Sequence, residues 1–188
     1  SSFEISLFRI DSGVDSGPVL ATRAFQYGPC DDIAVSYQKH SWLLAEMITE
    51  LLCSDAPDRF KGKQQVAGDA RYLPQRTPAD GEIDWHRNAV ELSHFVNALS
   101  RPYPGAWTQI DNKTTLRVWR AIPFSVPCNV SDVPPGHILA RYANDSLVIR
   151  CGSDPERNSL LLVQRWDVQP DLTSNLIQPG LDLHSADF

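Results

Sequence analysis

Two short apolar runs, residues 5–10 and 18–27, open the chain, and a polar turn joins them. The turn holds Asp11, Gly13, Asp15 and Gly17, residue types that take up tight-turn geometry readily. The pattern predicts a hairpin. After the break at Tyr27-Gly28-Pro29, Asp31 or Asp32 stands where a helix N-cap is expected. From Trp42 on, Leu43, Leu44, Met47, Ile48, Leu51 and Leu52 recur at helical spacing. A long helix is therefore expected over 33–53, with one apolar face laid on a sheet. Ser54-Asp55-Ala56-Pro57 ends it. Residues 58–80 are polar and irregular, with 61–65 expected as an exposed tip. A second helix is expected over 89–99, with Val90, Leu92, Phe95, Val96 and Leu99 in its buried stripe. Asn88 would cap it, and Glu91 three residues on would complete a capping box. Pro102 stops it.

From residue 105 the texture changes. Residues 106–110, 114–122, 136–142, 146–151 and 159–166 are rich in Val, Ile, Leu, Trp and Thr and read as strands. Turn signals separate them, and five short strands so punctuated suggest a small OB-like β-barrel. The part after residue 170 is weakly patterned and is expected to wrap back over that barrel. The expected division is 1–68, then a linker and helix over 69–104, then the barrel domain over 105–188.

Charge and cysteine usage narrow the function classes. The net charge of the 188 residues is −6, which gives no general electrostatic footprint for nucleic acid. Cys30, Cys53, Cys128 and Cys151 are widely spaced, with no CxxC pair. That argues against a zinc site and for reduced thiols in the cytosol. No metal is expected. No apolar run approaches about 18 residues, so no membrane span is expected. The N-terminus lacks the basic start of a signal peptide.

The candidate chemistry sits in the first turn. A carboxylate held there at the mouth of a sheet can act as an acid, a base or an orienting group. Asp84-Trp85 reads as a cap and anchor for the second helix. Tyr103 and Trp107 could stack on a ligand base, although aromatics at a domain boundary more often pack it.

Three strings carry a family resemblance: RIDSGVDSGPVL at 9–20, RTPADGEIDW at 76–85 and PYPGAW at 102–107. Together and in this order they resemble the folate-dependent formyltransferases, a group that includes methionyl-tRNA formyltransferase and the sugar-nucleotide N-formyltransferases. The resemblance implies the C-terminal remainder of a Rossmann-like catalytic domain (an α/β fold) followed by the OB-like barrel. It implies N10-formyltetrahydrofolate as co-substrate and transfer of its formyl group to an amine. Asp15 matches the family's catalytic Asp, and Gly17 matches its turn glycine. Asp11, Val14, Ser16 and Gly17 would then lie against the pterin, and Tyr103 and Trp107 near the acceptor. The family's Asn-x-His string is absent from these residues, and His86, His94, His137 and His184 stand in the wrong places to replace it. The missing N-terminal half of the catalytic domain is thus an implied partner. Asn97 stands where the family often has an arginine.

With the acidic charge, the expected acceptor is a sugar nucleotide or other small amine, with tRNA ranked below it. A non-catalytic binding or assembly module is the alternative, and a homodimer is left open.

Overall fold

A computed structural model describes residues 2–29, 31–66, 68, 72–111, 113–127, 130–153, 159–170 and 177–183. Cys30, Cys128, Arg71, His184 and the turn at 154–155 lie outside the described residues. The chain divides into two units, Ser1–Gln75 and Arg76–Phe188.

In the first unit, strands β1 (Ser2–Phe8) and β2 (Val19–Gln26) form an antiparallel pair, from Ser2↔Gln26 to Phe8↔Val19. Helix α1 (Ile33–Cys53) follows. The Asp32 side chain accepts a hydrogen bond from the Val35 amide at 3.0 Å, which makes Asp32 the cap. Met47 is the one residue of α1 that is fully buried, and Ile5 is buried on the strands. Trp42 (72% exposed), Leu52 (62%), Tyr37 and Ile48 face outward. The helix therefore has a second apolar flank besides the one laid on the strands. Residues 61–65 are exposed, as expected, and their backbone is also tied to β2: Lys63 and Val19 exchange hydrogen bonds of 2.8 and 2.7 Å.

In the second unit a single 3-10 turn, Pro78–Gly81, precedes helix α2 (Ala89–Ala98). Asn88 caps α2 by accepting from the Glu91 amide at 3.0 Å. The reciprocal half of the expected capping box is replaced, because the Glu91 carboxylate pairs with Arg87. Strands β3 (Ala106–Asp111), β4 (Thr114–Phe124), β5 (Ile138–Arg141), β6 (Leu147–Arg150) and β7 (Leu160–Gln169) make one antiparallel sheet in the order β3-β4-β7-β6-β5. This curled sheet is compatible with the expected OB-like barrel. Backbone bonds close both of its sides. Ile83 N–H donates to Trp107 C=O at 2.8 Å, and Gly152 N–H donates to Trp85 C=O at 2.9 Å. At the far edge, Ile138 N–H donates to Leu181 C=O, and Leu183 N–H to Gly136 C=O. Residues 177–183 thus fold back onto the sheet, as expected of the tail.

The core of this unit joins Ile83, Trp85, Leu92 and Val96 to Leu116, Val118, Ile138, Ile149, Leu161 and Val163. Helix α2 packs across β4 and β7. Strand β3 pairs with β4 only as far as Ala106↔Val118. Beyond that point no strand among the described residues pairs with β4 on that side, and Asn97 of α2 takes the strand's place. The Asn97 amide nitrogen donates to Ala121 C=O at 2.9 Å, and its oxygen accepts from Ala121 N–H at 3.2 Å. Ser93 adds a bond to the same carbonyl. Replacing Asn97 with Ala would leave the Ala121 N–H buried without a partner. A loss of about 1–3 kcal/mol is expected in urea unfolding, and unchanged stability would show that the pairing is dispensable.

Candidate functional site

The first turn is closed at its base by Arg9 N–H donating to Pro18 C=O at 3.0 Å. Asp11 organises the interior. Its Oδ1 accepts from Ser16 Oγ at 2.7 Å and from Gly13 N–H at 3.0 Å. The Ser16 hydroxyl first, and the Gly13 amide second, hold the Asp11 carboxyl below its ordinary value. Gly17 is buried, and a Cβ there would lie 1.6 Å from the Arg9 carbonyl oxygen, so glycine is obligatory.

Asp15 differs from Asp11. Its backbone sits in the left-handed region at φ 51°, which Asp tolerates better than most residues. Its side chain is exposed, and among the described residues nothing hydrogen-bonds the carboxylate. The backbone beneath it is fixed by Gln65, whose side-chain nitrogen donates to Asp15 C=O at 2.8 Å and to Gly17 C=O at 2.7 Å. Ile10 and Val14 are each 87% exposed and give this turn an apolar edge. Asp11, Val14, Asp15, Ser16 and Gly17 are therefore brought together. Gln65 was not singled out in the sequence, because a glutamine in a polar stretch gives no signal of a partner some fifty residues earlier.

Tyr103 and Trp107 belong to the second unit. Tyr103 is 42% exposed. The Trp107 indole N–H donates to Pro78 C=O at 2.9 Å, which ties β3 to the 3-10 turn and gives the ring a packing role. Trp85 is an interior anchor, with its indole N–H on Thr108 Oγ1 at 3.1 Å. Gly105, the glycine of the PYPGAW string, has φ 90°, and a Cβ there would meet the Trp119 ring at 2.8 Å. Trp119 in turn donates to Asp167 and lies beneath the Arg101 guanidinium. On the outer face, Arg120 of β4 lies directly opposite Arg165 of β7.

A concavity of about 960 Å³ opens beside the start of α2. The helix amides there are already used, Ala89 N–H by Ser159 Oγ and Glu91 N–H by Asn88, so they do not form a free anion site. Among the described residues, no group of three His, Cys, Asp or Glu side chains could hold a metal, and no helix is long and apolar enough to cross a membrane.

Comparison with known proteins bears on this geometry. Residues 76–166 match the family model for the formyl transferase C-terminal domain. A methionyl-tRNA formyltransferase from Methylococcus capsulatus is 34% identical over 148 residues, 79% of this chain and 46% of that protein. One from Nitrosococcus oceani is 32% identical over 189 residues, 95% of this chain and 55% of that protein. The chain thus spans about half the length of these relatives. A crystal structure of a HypX variant from Aquifex aeolicus superposes with TM-score 0.67 at 18% identity, over 88% of this chain and 28% of that one. The same protein has also been solved in complex with tetrahydrofolic acid.

The depressed Asp11 carboxyl sets a pH dependence. Because its folded pKa lies below the ordinary 3.8, the bonds from Ser16 and Gly13 hold above that value and are lost as pH falls through the folded pKa. In an NMR titration the Gly13 amide proton should move upfield in the acid range. Asp11→Ala should abolish that step, and a step that survives the substitution would assign it to another group.

Proposed function

From the premise that this chain belongs to the formyltransferase family, we propose that it supplies part of a centre that transfers a formyl group from N10-formyltetrahydrofolate to an amine. The observation that carries the reading is the turn at 9–18, where one carboxylate, Asp11, is consumed by internal bonds while its neighbour, Asp15, is left exposed. The fit to a folate rests on the same turn. Ile10 and Val14 offer an apolar edge to a flat ring, and the rigid backbone over 11–17 offers polar groups beside it. Val14, Ser16, Gly17 and the Asp11 loop would hold the co-substrate.

When bound, the folate supplies the formyl group. The acceptor nitrogen must lose a proton as it forms its new bond. Asp15 is the group of this chain suited to handling that proton, directly or by orienting an imidazole supplied from outside these residues. No Asn-x-His string occurs in the sequence. The outward apolar flank of α1, with the nearly fully exposed Tyr72 and Leu73, supports an N-terminal half that completes a Rossmann-like domain on the first unit.

For the acceptor, the reading departs from the sequence-based preference for a sugar nucleotide. The relatives at 32–34% identity are methionyl-tRNA formyltransferases. Arg165 is exposed on β7, where it lies opposite Arg120 of β4, so the second unit carries an accessible basic side chain despite the acidic total. An exposed arginine is a group that a phosphate backbone can engage. Methionyl-tRNA is the acceptor these observations favour. Tyr103 remains a candidate for contact with it, whereas Trp107 already has a structural partner.

In the complete polypeptide, Asp15→Asn should lower formyl transfer by roughly 100- to 10,000-fold while the fold survives, and a wild-type rate would remove Asp15 from the mechanism. The 188 residues alone should show no turnover in a formylation assay. A tRNA titration at several salt concentrations should give a steep log–log slope that Arg165→Glu flattens. A slope near zero would exclude the tRNA reading.

A further inference from the structure

The polar segment after α1 carries an assignable role. Its backbone is pinned where Val19 and Lys63 exchange two hydrogen bonds. Gly62, at φ 67°, lets the segment approach β2 closely; a Cβ there would lie 3.0 Å from Pro18, Leu20 and the Val19 carbonyl. Two residues beyond the double bridge, Gln65 points its amide into the turn. An amide nitrogen has two hydrogens to donate, and here the Asp15 and Gly17 carbonyls take them at 2.8 and 2.7 Å. Those carbonyls flank Ser16: the Asp15 carbonyl belongs to the peptide unit that leaves the Asp15 Cα, and the Gly17 carbonyl holds the close of the turn behind it, so the clamp fixes the backbone from which the Asp15 side chain departs. Asp15 is at φ 51°, a region a non-glycine residue occupies at a cost. The clamp opposes relaxation out of it.

We propose that Gln65 is a positioning residue for formyl transfer: its amide, held by the Lys63–Val19 bridge, clamps the Asp15 and Gly17 carbonyls and so fixes the direction of the Asp15 carboxylate. The inference rests on the role given to Asp15 above. It deepens that reading by naming the group that aims the carboxylate. The clamp acts through backbone carbonyls, so it neither touches the folate nor changes the chemical identity of the site.

The informative substitution is Gln65→Glu, which keeps length and shape but replaces both donors with an acceptor facing two carbonyls. Gln65→Met keeps the volume and removes the polarity, and the exposed neighbour change Gln64→Glu is the control. In the 188-residue chain, hydrogen exchange at residues 11–17 should speed up about tenfold or more in Gln65→Glu and Gln65→Met. Exchange in the second unit and in Gln64→Glu should stay as in wild type. In the complete polypeptide, kcat should fall about 10- to 100-fold, the scale of a misplaced reacting group, with the KM for the folate little changed. On an Asp15→Asn background, Gln65→Glu should add no further loss, because the clamp works only through that carboxylate.

Unchanged exchange, an unchanged kcat, or a full additive loss on the Asp15→Asn background would each overturn the clamp. If Asp15→Asn alone keeps the wild-type rate, the reading of Asp15 fails, and the exchange result still reports whether Gln65 orders the turn. If Asp15→Asn is inactive while Gln65→Glu is normal, the reading of Asp15 stands and the role of Gln65 falls.

Discussion

A backbone amide or carbonyl that leaves its ladder must find another partner, and water is a poor remedy in a packed interior. In each unit a side-chain amide meets part of this demand. On the far part of β4, the side that β3 vacates after Val118 would present the Ala121 N–H and C=O to the core. Asn97 supplies one acceptor and one donor, as a neighbouring strand would. On the turn at 9–18, two carbonyls converge and Gln65 supplies two donors. Amides are suited to this because they carry both kinds of group in the geometry of a peptide. An arginine at position 97, the family's frequent choice, has no acceptor and could not reproduce the bond that Asn97 accepts from Ala121 N–H.

Elements set by short-range chemistry were legible. The Asp-Ser-Gly turn, a cap at Asp31 or Asp32, the cap at Asn88 and the spacing of the five strands each follow from contacts a few residues apart or from a backbone conformation that excludes side chains. Long-range choices were not. Asn97 lies one position beyond Val96 on a stripe that reads as hydrophobic, and nothing local says that an amide is wanted there. The Lys61-Gly62-Lys63-Gln64-Gln65 string has the composition of an exposed tip, yet a backbone bridge to Val19 pins it. The irregular pairing of β4 with β7 also escapes a period-of-two reading. Inward positions run Leu116 and Val118, then pass to Ala121 after the shift between Val118 and Ala121.

The two units differ in how they satisfy the hydrophobic effect. The second buries eighteen residues in one cluster that joins Trp85, α2 and the sheet. In the first, Ile5 and Met47 are the fully buried large apolar residues, while Trp42, Leu52, Tyr72 and Leu73 remain outward. Large apolar surface left in water is unfavourable by roughly 25 cal/mol per Å², so the first unit gains most from a further partner surface. That places the turn at 9–18 on the less self-sufficient part of the chain. A second anchoring of the turn, through Lys63 and Gln65, is then more consequential than it would be on a rigid scaffold.

Total charge is a weak guide to the acceptor, and the slip in the β4–β7 ladder shows why. Net charge sets the far field, which salt screens within about 10 Å at moderate ionic strength. A docking surface is read at closer range. On β4 the shifted register brings Arg120 opposite Arg165, and the Arg120 Nε donates to Gln164 Oε1 at 3.2 Å. Arg101 lies over Trp119, whose ring attracts a cation without neutralising it. These arrangements keep cationic charge at the surface of an acidic chain. Had the ladder kept strict alternation, Arg120 would fall on the inward set with Leu116 and Val118, and the face would lose one of its two opposed cations. The β4–β7 shift that sets Arg120 opposite Arg165 is distinct from the early end of β3 that calls for Asn97, and β4 departs from a regular ladder on both of its sides.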